Sequence, residues 1–327
     1  MAGEDGMNIA MIRAAMERSV GLVRETPLLS APGLDEIAGR RVLVKAECLQ
    51  WTGSFKFRGG WAAVTALEPA VRARGVLAIS SGNHAQGVAM AARLLGVPAV
   101  IVMPEDAPRA KIEGTRALRG EVVLYRRATE DRDAIGARLA EERGLTLIRP
   151  FDDAEVIAGQ GTCGIEIARQ ARAEGITRAD VLVCCGGGGL SAGIALALAA
   201  EAPQMRVRTV EPEGFDDMAR SLRSGRPERN PRLSGTICDA IMTPEPGRLT
   251  LPVLAELAGP GIAVTDGEAL RAMAVAARHL KLVLEPGGAV ALAAALFHPG
   301  EAAGDAVICV ASGGNVDPEV LARALRE

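Results

Sequence analysis

Aromatic residues are scarce in this sequence. Two Trp, one Tyr and five Phe make up 2% of 327 residues, too few for a surface that stacks nucleic-acid bases. An excess of one charge is also missing: 37 Lys and Arg stand against 40 Asp and Glu, a formal net charge of −3. Without a basic stripe, nucleic acid and anionic membranes are poor partners. No C-x-x-C pair occurs among Cys48, Cys163, Cys184, Cys185, Cys238 and Cys309. His84, His279 and His298 form no cluster by spacing either, so no zinc pattern is present. The alanine-rich runs at 193–202 and 289–297 are too short for a membrane span and read as packed helices. The first residues carry Glu4 and Asp5 and no apolar signal core. These absences lead to the expectation of a cytoplasmic protein with buried free thiols.

About half of the residues are hydrophobic, 49%, enough for a large core and for two lobes. Residues 10–20 read as a helix with one apolar face, 41–49 as an alternating strand and 57–67 as a helix. Strands at 75–80, 98–103, 121–125 and 145–148 then alternate with helices at 85–95, 111–118 and 130–142. Residues 149–162 read as a linker and loop before a helix at 163–173. Further strands are expected at 180–185, 205–210 and 305–310, with helices at 191–202, 251–257, 266–279, from 285 onward, and at 318–325. Thr265 or Asp266 is the expected cap of the 266–279 helix. Residues 221–250 read as irregular. The alternation predicts an α/β fold of mostly parallel sheets covered by helices. The expected smaller lobe is 60–150, and the larger combines 1–59 with 151–327. A cleft between them would gather Lys56, the 80–84 turn and the 186–189 turn around one ligand.

The organising stretch is Thr52-Gly53-Ser54-Phe55-Lys56-Phe57-Arg58-Gly59-Gly60. Glycines allow close backbone approach, and an ammonium desolvated between two phenylalanines loses its proton more easily. Such a lysine can form a Schiff base with a carbonyl compound; the plainer reading is a surface lysine before a helix. Gly186-Gly187-Gly188-Gly189 lies between an apolar strand and a helix. Its unobstructed amides can cradle a phosphate, or it is only a tight crossover. It matches neither the Walker pattern nor the dinucleotide fingerprint, which would need Gly or Ala where Ser191 stands. Ser80-Ser81-Gly82-Asn83-His84 offers donors to a carboxylate or phenolate, or an Asx-type cap; a helix start disfavours a charged His84. Ser312-Gly313-Gly314-Asn315 follows the last strand, where ligands of open α/β sheets gather, or forms a polar turn. Residues 211–217, Glu-Pro-Glu-Gly-Phe-Asp-Asp, could hold a hard cation, or form a solvated acidic loop.

These motifs, in this order, make the chain resemble the fold-type-II pyridoxal phosphate enzymes. It is most similar to the serine/threonine dehydratase and serine racemase branch, over about residues 10–317. The fold implied is the two-lobe, tryptophan synthase beta-like α/β architecture, with a large cofactor-binding and a small substrate-clamping lobe. The resemblance implies that Lys56 holds pyridoxal 5'-phosphate through its amine. It implies that Phe55 packs near the cofactor ring and Asn83 meets its phenolic oxygen. Gly186, Gly187, Gly188, Gly189 and Leu190 would hold its phosphate, and Ser312 would partner its ring nitrogen. Ser80, Asn83 and His84 would meet the substrate carboxylate, and Ser81 would stand on the face opposite Lys56 as the second acid/base of a racemase. Glu211, the carbonyl of Phe215 and Asp217 match a magnesium or calcium site of some members. A homodimer is implied as well.

The implied reaction is α,β-elimination of water from a small hydroxy amino acid, giving a 2-oxo acid and ammonia, with L-threonine or L-serine as the default substrate. The alternatives are an L-threo-3-hydroxyaspartate ammonia-lyase and a serine racemase. Arg132 resembles the arginine that approaches a dicarboxylate in the latter groups, or it is a solvent-facing helix residue. A β-replacing synthase and a non-enzymatic binding protein are the remaining readings. Three departures stand out. Asp239-Ala240 replaces the branch's usual Asp-Gly, Pro286-Gly287 replaces its Pro-Thr, and little chain follows Ala324. The last point leads to the expectation of a catabolic enzyme without an amino-acid-sensing domain.

Overall fold

The computed structural model describes residues 6–107, 109–304 and 306–327. The expectations that fell on Glu4, Asp5 and Asp305 lie outside them. Among the described residues ten strands form two sheets. The first has six strands: β1 (Leu28–Ser30), β2 (Arg41–Lys45), β7 (Ala179–Cys184), β8 (Met205–Pro212), β9 (Ile262–Val264) and β10 (Ala306–Val310). Their order is β1-β2-β10-β7-β8-β9, and β1 alone runs antiparallel to its neighbour. The second sheet is fully parallel, with β5 (Glu121–Tyr125), β4 (Ala99–Pro104), β3 (Val76–Ile79) and β6 (Thr146–Leu147) in that order. Central strands β4, β7 and β10 are buried along their whole length. Helices therefore cover both faces, as continuous apolar strands require. This is the two-lobe α/β architecture the sequence predicts.

The largest departure from the sequence reading is at 149–162. Instead of a loop, a single helix runs Ala154–Ala173. Asp153 caps it by accepting from the amides of Glu155 and Val156, a common helix start. Its glycines are packing residues, not breaks. A Cβ on Gly159 would overlap Arg58 O and Ala62, and one on Gly164 would overlap Ala197 and Ile194. Other helix starts differ less, or agree. The Asn83–Leu95 helix begins two residues earlier than the apolar run, at Asn83 itself. Thr265 caps the Asp266–Val275 helix in a reciprocal box with Glu268. The acidic 211–217 stretch ends in a helix, Asp217–Ser224, which runs into the start of the region read as irregular.

A buried ionic network fixes the helix that carries Lys56. Arg58 donates to both oxygens of Glu47 and to both of Glu166, at 2.7–2.8 Å. Lys45, at the end of β2, donates to Glu166 at 2.6 Å. All four side chains are buried. Burial pushes the Glu47 carboxyl up, but the charge and hydrogen bonds of Arg58 overcome it and hold the acid below its ordinary range. Strand, connecting turn, Lys56–Ala66 helix and Ala154–Ala173 helix thus meet at one point. All six cysteines are free and buried. Among the described residues no helix is long and apolar enough to cross a membrane.

Candidate active site

Lys56 is the first residue of the Lys56–Ala66 helix. The loop before it is stitched to the segment after β10. Phe55 N donates to Ser312 O, Gly314 N to Gly53 O, and Ser54 pairs with Gly313 in an isolated bridge. Gly60 and Gly87 meet almost backbone to backbone, so the Asn83–Leu95 helix crosses directly over the start of the lysine helix. Lys56 Nζ donates to Pro150 O at 2.7 Å and lies 5.1 Å from the centre of the Phe55 ring. Burial of the ammonium pulls its pKa from 10.5 down to about 8, opposed by the acidic groups Cys184 and Glu285 nearby.

The 80–84 turn leads into a helix whose first amides are free. Ser80 Oγ accepts from Gly82 N at 3.2 Å. The amides of Ser81, Asn83 and His84 have no acceptor among the described residues, an arrangement suited to a carboxylate. His84 is buried, and its Nε2 lies 2.8 Å from Ile148 O. Burial and the nearby Lys56 charge lower its pKa to about 3, so the ring is neutral, with its proton on Nε2 facing that carbonyl. Nδ1 is then a lone pair without a partner. The imidazole is no donor to a carboxylate, and His84 can serve one only through its backbone amide.

Asn83 ties the turn to the large sheet. Its Nδ2 donates to Glu285 Oε1 at 2.6 Å, and its Oδ1 accepts from Asn315 Nδ2 at 2.7 Å. Glu285 is buried, and burial raises its carboxyl from 4.5 to about 7 despite the Asn83 bond. A Cβ on Gly313 would displace Glu285 Oε1, the oxygen that accepts from Asn83.

The glycine loop has its carbonyls engaged and its amides open. Gly187 O accepts from Thr250 Oγ1 at 2.6 Å and from Gly247 N at 3.1 Å. The amides of residues 186–190 have no acceptor among the described residues. Any Cβ on Gly187 would overlap the Phe151 ring, and Gly188 sits at φ +90°. Phe151 follows Pro150, whose carbonyl holds Lys56, so loop and lysine are two residues apart through this contact. At the floor, the Cys184 thiol lies 3.1 Å from Ser312 Oγ. Burial raises Cys184 to about 11, which keeps it a neutral thiol.

A desolvated lysine, a loop of open amides and a serine hydroxyl at the sheet's carboxyl end lie close together, and this donor set fits a phosphorylated aldehyde. The family described as pyridoxal-phosphate dependent enzyme matches residues 20–313. The chain belongs to that family. It is 42% identical over 317 residues to an L-threo-3-hydroxyaspartate ammonia-lyase of Pseudomonas sp, covering 97% of each chain. It is 40% identical over 306 residues to an L-threo-3-hydroxyaspartate ammonia-lyase of Saccharomyces cerevisiae, covering 93% of this chain and 91% of that one. Among solved structures, a threonine deaminase of T.th. superposes with a TM-score of 0.89 at 43% identity, over 95% of this chain and 99% of that one. Serine racemases and L-threonine ammonia-lyases are also relatives. The protein is thus a pyridoxal-phosphate-dependent lyase-type enzyme acting on small hydroxy amino acids.

Other expected residues of this enzyme stand apart from the cluster. Arg132 opens the Arg132–Arg143 helix with its side chain 57% exposed, and its nearest charged partner is Asp133 at 3.9 Å. Glu211 and Asp217 are not a solvated loop, since both are fully buried. Glu211 accepts from the amides of Met218 and Ala219, and burial together with Asp217 raises its pKa well above normal. Asp217 Oδ1 accepts from Asn230, while Oδ2 is buried without a partner. Among the described residues no three His, Cys, Asp or Glu side chains gather as a metal site. Sequence reasoning gave no role to Glu285, Cys184 or Asn315, although Asn315 closes the 312–315 motif it singled out. Glu285 carried a signal too, as an acid placed directly before a Pro-Gly-Gly helix start.

Proposed function

We propose that the protein is an ammonia-lyase whose preferred substrate is L-threo-3-hydroxyaspartate. The observation that carries the substrate is the agreement of the bacterial and yeast relatives, both of that description and both aligned over nearly the whole chain. Loss of water, then hydrolysis of the released 2-imino acid, gives oxaloacetate and ammonia. When bound, the cofactor supplies the electron sink for the departing α-proton. In this reading Lys56 anchors it, and the same amine, its proton loosened to about 8 by burial, takes the α-proton. The amides of residues 186–190 cradle the phosphate. The Ser312 hydroxyl would partner the ring nitrogen, Asn83 would meet the phenolic oxygen and Phe55 would pack near the ring. Ser80, Ser81, Asn83 and the His84 amide receive the α-carboxylate. The unpartnered Asp217 Oδ2 supports a divalent cation held with Glu211 and Phe215 O. The lobe boundaries at 59/60 and 150/151 and a homodimer belong to the same reading.

A second reading, threonine/serine ammonia-lyase, is favoured by the likeness to threonine deaminase. Ser81 keeps serine racemisation as a third. The test is ammonia and 2-oxo acid release by the holoenzyme from L-threo-3-hydroxyaspartate, its erythro diastereomer, L-threonine and L-serine. The highest kcat/KM is expected for the threo-hydroxyaspartate. A higher value for threonine or serine would replace the first reading with the second. D-serine formed without matching ammonia would favour the racemase.

A further inference from the structure

We infer that Lys111 receives the distal carboxylate of a dicarboxylic substrate, exchanging Asp239 for it; this rests on the hydroxyaspartate reading. Lys111 is the third residue of the Arg109–Ala117 helix in the smaller lobe. Its Nζ reaches across the cleft to Asp239 Oδ2 of the larger lobe at 3.3 Å. Among the described residues this is the one ion pair joining residues 60–150 to the rest of the chain.

Its position points into the site. Asp239 opens the Asp239–Ile241 turn, and Ile241 of that turn packs against Gly186 of the glycine loop and against Gly287. Gly114 of the Lys111 helix lies close to Gln86, on the helix whose first amides face the cleft. Lys111 thus stands between the two anion-binding edges, the 80–84 turn and the glycine loop. The fields agree: beyond its own burial and the Asn83 bond, Glu285 feels Asp239 raising its pKa, then Lys111 and Lys56 lowering it. With Lys56 committed to the α-carbon in that reading, Lys111, the other cation that acts on Glu285, is left for a second carboxylate.

A dianionic substrate needs such a cation. Asp239 and Glu285 make this part of the cleft acidic, and a like charge brought beside them is repelled. The existing pair is easily exchanged, because the side chains are 30% and 62% exposed and exposed pairs are held weakly. Arg132, in contrast, is bound to no cleft residue.

The experiment uses holoenzyme of the wild type and of Lys111→Met, Lys111→Gln, Asp239→Asn and Arg132→Met. It measures kcat and KM for L-threo-3-hydroxyaspartate and L-serine, and binding of succinate against propionate by calorimetry. Lys111→Met and Lys111→Gln are expected to raise the hydroxyaspartate KM and the succinate Kd about tenfold or more, the loss of one charged contact. The serine KM and propionate binding should stay within about twofold, and Asp239→Asn should tighten succinate. Equal losses for both substrates, unchanged succinate binding, or a loss confined to Arg132→Met would overturn the assignment. If the wild type prefers serine or threonine, the hydroxyaspartate reading falls, and succinate binding alone then decides Lys111. Dependence on Lys111 keeps it, and independence sinks it.

Discussion

Asn83 and Glu285 join the two lobes through one hydrogen bond of 2.6 Å. The amide opens a helix over the smaller sheet, and the acid directly precedes the Pro286–Phe297 helix beneath the larger one. Because burial raises Glu285 to about 7, its folded form holds a proton more tightly than the unfolded chain does. The stability this contributes is complete below about pH 4.5 and is lost as pH rises through about 7, on the order of 3 kcal/mol. In cofactor-free protein, the stability advantage of wild type over Glu285→Gln should therefore shrink between pH 5 and pH 8. Urea unfolding at both pH values measures it, and an unchanged difference would refute a buried acid titrating there.

Lys56 should capture pyridoxal phosphate with a pH dependence set by its depressed pKa. Only the neutral amine attacks an aldehyde. With a value of about 8, about a tenth of the amine is neutral at pH 7 and nearly all at pH 9. Reconstitution of the cofactor-free enzyme, followed by absorbance, should accelerate about tenfold over that range and level off. An ordinary lysine would keep accelerating beyond pH 9. Lys56→Ala should show no covalent capture, and its elimination rate should fall by at least about 10²–10⁴ from lost proton transfer.

The glycine loop should tolerate no side chain at 187, where a Cβ would overlap the Phe151 ring. Overpacking forces neighbours to move, and Phe151 adjoins the Pro150 carbonyl that holds Lys56. Gly187→Ala is expected to raise the pyridoxal phosphate Kd about tenfold or more, measured by fluorescence titration. Gly267→Ala, where a Cβ meets only Thr265 Oγ1 at 4.0 Å, is the control. Equal Kd values for the two variants would show that the loop has slack.

The order of strands and helices was legible because apolar runs and caps are local. Gly187 and Gly188 betrayed their loop for the same reason, since a side chain at 187 would overlap Phe151 and 188 has a left-handed φ. The Ala154–Ala173 helix was not legible from its start. Glycine weakens a helix locally, and the packing that reverses this, Gly159 on Arg58 and Gly164 on Ile194, comes from helices far away in sequence. Lys56 and Ser312 could be named from motifs. Their neighbours Glu285 and Cys184 could not, because each is brought in by strand order, and a lone acid or thiol has no spacing to read; Asn315 stood in the Ser312 motif, but its bond to Asn83 did not show. The tautomer of His84 likewise depends on Ile148 O, 64 residues away.

Magnesium should stabilise the protein most at alkaline pH. Burial raises Asp217 from 3.8 to about 7, so without a cation its charge is costly above that pH, and Glu211 beside it adds repulsion. A divalent ion offsets both and binds better as they ionise. Thermal unfolding with and without magnesium at pH 6 and pH 8 should show a larger rise in Tm at pH 8, lost in Asp217→Asn. A rise that survives this substitution would place the ion elsewhere.

Arg58 should be the costliest surface-remote residue to truncate near the site. Arg58→Met removes the shared partner of two buried acids, Glu47 and Glu166. Lys45 still pairs with Glu166 at 2.6 Å, but Glu47 would keep only Thr26 Oγ1 at 2.5 Å. Breaking a buried pair from one side destabilises by about 3–5 kcal/mol, whereas removing both partners is far milder. Arg58→Met should therefore fall by that amount in urea unfolding, and Arg58→Met with Glu47→Leu should recover part of it. The network is also two residues from Lys56, so the single variant should capture pyridoxal phosphate more slowly than wild type at equal fraction folded. If the double variant is no more stable than the single one, the cost lies in lost packing of the arginine stem and not in the stranded charge.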